Sequence, residues 1–313
     1  MKTLTATILA GLDEPTDFDT RLQWGAMHGA RIEGHGLTLE FARRLYGSVR
    51  AQHGLPNKAA ALLTHPDANL KLNKSIVPAY GITLQHYVQK LSTGLTINAC
   101  PNAGDCTKVC VLDNGMGRYD SVQRGRRAKT EFLARYPKAF AFLLGYELAL
   151  AVRRDGAILL RPNVNSDVEW EKIAPRLCDG ETPGLNGFVR LYGYSKLDYV
   201  LDTNGWLGKA YRVAYSWNEQ SPSWLKVLEF LGHGGSVAVV TDRKPKTPIA
   251  QWAPQSFLDG KVRDADLTDE WILESGVIGD LSAKGKARGL IGHSGFIAQP
   301  YSDNRPSLLL VSS

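Results

Sequence analysis

The chain has 313 residues, of which 43% are hydrophobic and 22% charged, and this composition excludes disordered, collagen-like and disulfide-scaffold proteins. The mean hydropathy is −0.21 and no apolar run is long enough to cross a bilayer, so we expect no membrane association. The formal net charge of +6 permits contact with nucleic acid without requiring it. The N-terminus lacks the pattern of a signal peptide, and a cytoplasmic protein is therefore expected.

Residues 1–80 are predicted to form an irregular, partly helical N-terminal region. Within it, residues 37–53 carry apolar side chains at three- and four-residue steps, which predicts an amphipathic helix that ends at Gly54 and Pro56. From about residue 81, segments typical of strands and of helices alternate. We therefore expect a second, metal-binding α/β domain over residues 81–313.

The alternation in this second part predicts both the elements and their arrangement. Helices are predicted over residues 121–133, 137–153, 167–177 and 224–231. Strands are predicted over residues 91–99, 157–160, 188–194, 211–216, 236–241, 277–281 and 308–311. Such a βαβα order favours a mainly parallel sheet, and we predict an α/β fold that forms a partial or complete βα barrel.

Three of the four cysteines lie within one short loop, as Cys100, Cys106 and Cys110 in a C-x5-C-x3-C spacing. Clustered cysteines in a cytoplasmic protein indicate a metal or redox site before a disulfide. Three thiolates on one loop favour a [4Fe-4S] cluster, with zinc or reduced structural thiols as the other interpretations. Cys178 follows a predicted helix that leads away from this loop, so we expect it to be a buried apolar residue rather than a fourth ligand.

Polar residues follow several predicted strands, where parallel α/β folds place their ligands. We interpret these residues as a common pocket that faces the cysteine loop and binds a cofactor or substrate, although each could instead be a helix cap or a solvated loop residue. The candidates are Asn163, Asn165, Asp167, Lys196, Ser216 and Glu219.

A basic stretch follows the cysteine loop within the helix predicted over residues 121–133. Its charges could stabilise a negatively charged cluster, contact a nucleic-acid backbone, or form an ordinary solvated helix face. The candidates for nucleic-acid contact are Arg124, Arg126, Arg127 and Lys129.

A set of motifs extends over roughly residues 70–290. It comprises Lys90-Leu91-Ser92, the cysteine loop, Val122, Arg126, Lys129-Thr130, Asn163, Ser166-Asp167, Glu169-Trp170-Glu171, Tyr192 to Lys196, Tyr215-Ser216, Glu219 and Ala283-Lys284-Gly285. Together these motifs resemble a family of bacteriophage proteins. The resemblance implies a phage origin, and therefore the cytoplasm of an infected bacterial host, rather than a particular reaction.

The layout of a three-cysteine loop after the first strand of a βα barrel also resembles the radical S-adenosylmethionine enzymes. That resemblance implies a [4Fe-4S] cluster whose open iron binds S-adenosylmethionine. The chain departs from the usual C-x3-C-x2-C spacing, and residues 163–167 stand where a Gly-Gly-Glu motif is expected.

Two hypotheses of different classes follow. The first is a phage iron–sulfur protein, with a radical-type enzymatic activity on an unknown small molecule. The second is a nucleic-acid-binding phage protein in which the metal site is structural.

Overall fold

The computed structural model describes residues 1–14, 16–28, 37–110, 115–218, 220–241, 262–283 and 285–290. The strand predicted over residues 308–311 lies outside these ranges. Within them, no helix is long and apolar enough to span a membrane.

The N-terminal part is more regular than its composition predicts. The helix predicted over residues 37–53 is confirmed as α3 (Leu39–Gln52), and its N-terminus is capped by the Thr38 hydroxyl, which accepts a hydrogen bond from the Phe41 backbone N–H at 3.1 Å. The periodicity does not predict the other elements of this part, which are β1 (Lys2–Thr3), α1 (Leu4–Ala10), α2 (Asp17–His28), β2 (Leu63–Thr64), α4 (Leu70–Asn73) and β3 (Ala79–Ile82).

Most elements predicted after residue 81 are confirmed to within two residues at each end. The strands are β4 (Val88–Lys90), β5 (Thr96–Asn98), β6 (Ile158–Arg161), β7 (Val189–Ser195), β8 (Tyr211–Ser216), β9 (Ser236–Thr241), β10 (Val262–Asp264) and β11 (Ile278–Ser282). The helices are α5 (Asp120–Arg135), α6 (Pro137–Asp155), α7 (Trp170–Ile173), α8 (Pro175–Cys178) and α9 (Trp224–Gly232).

Two of the predicted elements differ from the structure. The strand predicted over residues 91–99 is instead a hairpin of β4 and β5, because the chain reverses at Gly94, whose φ of +84° suits glycine. The helix predicted over residues 167–177 is instead the pair α7 and α8. Pro175 begins α8, and its missing N–H and fixed ring prevent one helix from continuing through this point.

The main sheet has eight strands in the order β10-β11-β9-β8-β7-β6-β3-β2. Six of them, β3, β6, β7, β8, β9 and β11, are parallel and stand side by side in chain order. The edge strand β10 is parallel to β11, and β2 at the other edge is antiparallel to β3. All carboxyl ends of the six central strands therefore meet at one edge of the sheet, as the predicted α/β fold requires.

The described strands form an open sheet and not a closed barrel, since the edge strands β2 and β10 are not paired with each other. The predicted complete barrel is therefore not formed by the described residues. A second, three-stranded sheet in the order β1-β5-β4 lies apart from the main one. Its central strand β5 leads directly into the cysteine loop.

The two faces of the main sheet are covered differently. One face packs against the helices in a continuous apolar core that includes Phe132, Phe140 and Phe142. The other face is covered by α4 and by the segment 262–276, which places Trp271 and Ile272 against Tyr192. Burial of these side chains contributes apolar contact on that second face.

The N-terminal helices belong to the same core as the α/β part. Leu4, Phe18 and Leu22 are fully buried in it. The predicted boundary between residues 80 and 81 falls inside β3, so the main sheet contains residues from both sides of it.

Candidate functional site

The cysteine loop runs from Cys100 to Cys110 and contains a short 3₁₀ helix over Gly104–Val109. Cys100 and Cys106 are half-buried and Cys110 is buried, and all three are free thiols. Cys100 comes two residues after β5, whose pairing with β1 and β4 fixes the start of the loop. The loop thus begins at the small sheet rather than at a strand of the main sheet.

Hydrogen bonds from three successive strand ends hold this loop over the carboxyl edge of the main sheet. The Asp167 backbone N–H, after β6, donates to the Ala99 carbonyl at 2.7 Å. Asn102 donates to the Lys196 carbonyl, after β7, and its own carbonyl accepts from Asn218, after β8, both at 3.0 Å. The chain at the cysteine loop is therefore hydrogen-bonded to residues that follow β6, β7 and β8.

Apolar contacts continue the same arrangement along the edge. Val109 packs with Ala283, after β11, and with Ala287. Cys106 packs against this cluster together with Val240 of β9. Consequently, five of the six central strands contribute residues that contact the loop or lie beneath it.

Lys196 follows β7 beside the loop, and its charge interacts with all three cysteines of the loop. Burial by itself would lower the pKa of Lys196, but Cys106, Asp167, Cys100 and Cys110 together raise that pKa above its usual value. Its backbone N–H also donates to the Asp167 carboxylate at 2.8 Å. Lys196 and Asp167 are thus predicted pocket residues beside the thiols, as is Asn165, whose carbonyl accepts a hydrogen bond from the Cys100 thiol at 3.4 Å.

Burial raises the pKa of two acidic groups beside Lys196, the Cys100 thiol and the Asp167 carboxyl. Desolvation raises the pKa of the Cys100 thiol to about 12, against the effects of a Tyr87 backbone hydrogen bond and of Lys196. Burial also raises the pKa of Asp167, against the hydrogen bond from the Lys196 backbone N–H. The Cys100 thiol is therefore protonated at neutral pH, and a metal ion would have to displace that proton.

Tyr87 is a site residue that the sequence pattern does not predict. Its φ of +32° is unusual for a residue with a side chain. In this conformation its carbonyl accepts a hydrogen bond from the Ala99 N–H at 3.0 Å, while its backbone also hydrogen-bonds the Cys100 sulfur. Backbone strain is therefore located where the chain holds Cys100.

The donor set has the right chemistry for a soft metal, but the sulfur atoms are not arranged around one point. Within the ranges that the structure describes, no three cysteine, histidine, aspartate or glutamate side chains are placed so that they could hold a metal ion. Cys110 directly precedes residues 111–114, which lie outside those ranges.

The family model described as Gene product 88 matches residues 56–299, most of the chain. The chain belongs to the gene product 88 family. This match confirms the predicted membership of a phage protein family. No curated protein and no solved structure matches the chain.

Two other predicted pocket residues of this gene product 88 protein stabilise loops rather than face an open pocket. The Asn163 side-chain oxygen accepts hydrogen bonds from the Ser166 hydroxyl, the Val168 N–H and the Trp170 indole at 3.0 to 3.1 Å. Asn165 pairs with both backbone groups of Leu84. Their hydrogen-bonding capacity is largely used within the protein.

Ser216 and Cys178 lie at opposite edges of the main sheet. Ser216 is the final residue of β8 and is half-buried, while Glu219 lies outside the described residues. Cys178 is 1% exposed, and its carbonyl accepts a hydrogen bond from Ala210, just before β8 begins. It therefore lies at the amino-terminal edge of the sheet, away from the cysteine loop.

The basic residues of α5 do not form one exposed cationic face. Lys129 is 8% exposed and donates to the Leu62 carbonyl, and burial lowers its pKa to about 8. Arg124 pairs with Asp120 at 2.8 Å and also donates to a backbone carbonyl. Arg126 is half-buried, and of the four only Arg127 is exposed.

Asn102, like Tyr87, is a site residue that the sequence pattern does not predict. It lies in the Cys-Pro-Asn-Ala-Gly run, which is typical of a turn, and nothing in that pattern distinguishes a turn asparagine from one that bridges two strand ends.

Proposed function

We propose that this gene product 88 protein is a phage iron–sulfur protein in which Cys100, Cys106 and Cys110 hold a [4Fe-4S] cluster. The observation that carries the proposal is the position of the cysteine loop, which the hydrogen bonds of Asn102 with Lys196 and Asn218 hold over the carboxyl edge of the sheet. The charge of the half-buried Lys196 also acts on all three thiols. Thiolate-ligated clusters carry negative charge, and a neighbouring ammonium group offsets it.

Binding of a cluster would have to draw the three sulfur atoms together, because they do not share a common centre in the structure. Metal binding is therefore expected to be coupled to a rearrangement of the loop. The contacts of Asn102 with Lys196 and Asn218 anchor the first part of the loop, so we expect the larger movement after Gly104.

A radical-type enzyme is the finer version of this proposal. The six parallel strands in chain order, with the cysteine loop over their carboxyl ends, support this version. Three thiolates leave one iron open to a small molecule, and S-adenosylmethionine is our first candidate. Because Asn163 and Asn165 are engaged within the protein, we assign contact with that molecule to Lys196 and Asp167.

The decisive experiment is elemental analysis after purification without oxygen. We expect about four irons and four sulfides per chain, with visible absorption that changes when S-adenosylmethionine is added. Cys106→Ala should abolish iron binding, whereas Cys178→Ala, which removes a thiol at the other edge of the sheet, should retain it. Equal iron in the parent and Cys106→Ala would refute the proposal.

Stoichiometric zinc without sulfide would favour the second function, nucleic-acid binding around a structural zinc site. We rank this function lower because two of its four predicted contacts, Arg124 and Lys129, are engaged within the protein. An affinity for DNA or RNA that falls with added salt, and that depends on Arg127, would support it.

A further inference from the structure

A cavity of about 880 Å³ lies away from the cysteine loop, between α3, α6 and the segment of residues 57–65. None of the residues that line it belongs to the cysteine loop or to the strand ends that surround it. Its size is within the range of pockets that bind small molecules and cofactors. It therefore constitutes a separate candidate site.

Three of the cationic side chains that line this cavity form no ion pair with any described residue. Arg43 and Arg44 of α3 and Lys58 line it. Across the described residues, no carboxylate forms an ion pair with any of these three side chains. The arrangement differs from that of α5, where charges are used in internal contacts.

The carboxylates near the cavity only partly balance these cations. Glu147 lines it, but its oxygens accept hydrogen bonds from the Leu62 and Leu63 N–H groups at 2.9 to 3.0 Å. The Glu147 charge also interacts with those of the buried Lys129 and of Arg43. Glu40, in the first turn of α3, is the other acidic residue of the lining.

The rest of the cavity offers apolar and aromatic surface. Tyr146 is half-buried, with the Arg43 guanidinium 5.4 Å from its ring centroid. Leu150, on the same helix, is 43% exposed and adds apolar surface to the lining. An aromatic ring could thus stack beside Tyr146 while an anionic group contacts Arg44 and Lys58.

We propose that this cavity binds a nucleotide, with the base against Tyr146 and Leu150 and the phosphate at Arg44 and Lys58. The occupant combines a flat apolar ring with negative charge, which is the combination that the lining complements. The nucleotide is either free or a unit of a single-stranded nucleic acid, because both present the same chemistry.

Two titrations of the full chain test the proposal and separate these sources. Adenosine monophosphate is titrated by calorimetry, and a fluorescent oligothymidylate of about 12 nucleotides by anisotropy. Tighter binding of the oligonucleotide, with a steep salt dependence, identifies a strand as the ligand. Binding of adenosine monophosphate without that gain identifies a free nucleotide.

The variant Arg44→Gln/Lys58→Gln is expected to weaken binding of the preferred probe about tenfold or more, because it removes the charge-assisted contacts. The charge-matched control Arg153→Gln/Lys90→Gln alters exposed cations outside the cavity and should bind like the parent. Unchanged affinity in the first variant, or no binding of either probe by the parent, overturns the proposal. Cys106→Ala should bind normally, so this test is independent of the cysteine site.

Discussion

Different interactions hold the layers that cover the two faces of the main sheet. On the helical face, α2 crosses α6 at Gly25 and Gly145, where each glycine lies against the backbone of the other helix. On the other face, the segment 262–276 is held by Asp269, which accepts hydrogen bonds from both Arg161 and Tyr194. The helical layer depends on close packing, whereas the segment 262–276 depends on a buried charge pair. Different substitutions should therefore destabilise the two layers.

The largest effect is expected at the helix crossing. A Cβ at Gly145 would overlap with the Leu22 carbonyl oxygen, which is backbone and cannot rotate away. We expect Gly145→Ala to lower the free energy of unfolding by about 3–4 kcal/mol, measured by urea denaturation.

Gly125 of α5 supplies the matched control, since a Cβ added there would meet nothing within 4 Å. Gly125→Ala should raise the stability by about 0.5–1 kcal/mol, because alanine favours helix. Similar destabilisation by both substitutions would mean that the crossing is not the close contact described here.

A somewhat smaller loss is expected on the opposite face. Asp269→Ala leaves the guanidinium of Arg161 buried, at 11% side-chain exposure, without its carboxylate. We expect a loss of about 3 kcal/mol, with faster proteolysis of the segment 262–276 than in Gly145→Ala.

Its control is Asp202→Ala, which breaks the exposed ion pair with Lys226. This control should change the stability by less than about 1 kcal/mol. Equal effects at Asp269 and Asp202 would show that the buried pair does not hold the segment.

The smallest effect concerns a charge within the helical layer. Burial lowers the pKa of Lys129 to about 8 from an ordinary 10.5. Between those values the unfolded chain holds a proton that the folded chain has released, so the free energy of unfolding rises with pH, by at most about 1.4 kcal/mol per unit.

Lys129→Met removes the titrating amine and with it this pH dependence. The free energy of unfolding of the parent, relative to that of the variant, should therefore increase as the pH rises from 8 to 10. Parallel stability curves for the two proteins over that range would contradict the burial of a charged lysine in this layer.

The sequence predicted the elements whose pattern is local. The helix α3, the long helices α5 and α6, and the strands β6 to β9 follow from periodicity and from their end signals. Short elements such as β3 were not predicted, because four residues, one of them glycine, carry too little pattern. The split of the helix predicted over residues 167–177 could have been anticipated from Pro175 alone.

The phage family and the alternating α/β order follow from the sequence. So does the position of Lys196 and Asp167 at the same edge as the cysteines, because parallel strands bring their carboxyl ends to one edge. The use of each polar residue depends on the packed fold. Asn163 stabilises a loop instead of facing a pocket because its side chain accepts a hydrogen bond from the Val168 N–H. Lys129, unlike Arg44, is engaged within the protein because it donates to the Leu62 carbonyl, which is distant in sequence. Local sequence patterns do not encode such long-range contacts. The cationic cavity between α3 and α6 therefore follows from the packing of these helices and not from either helix sequence.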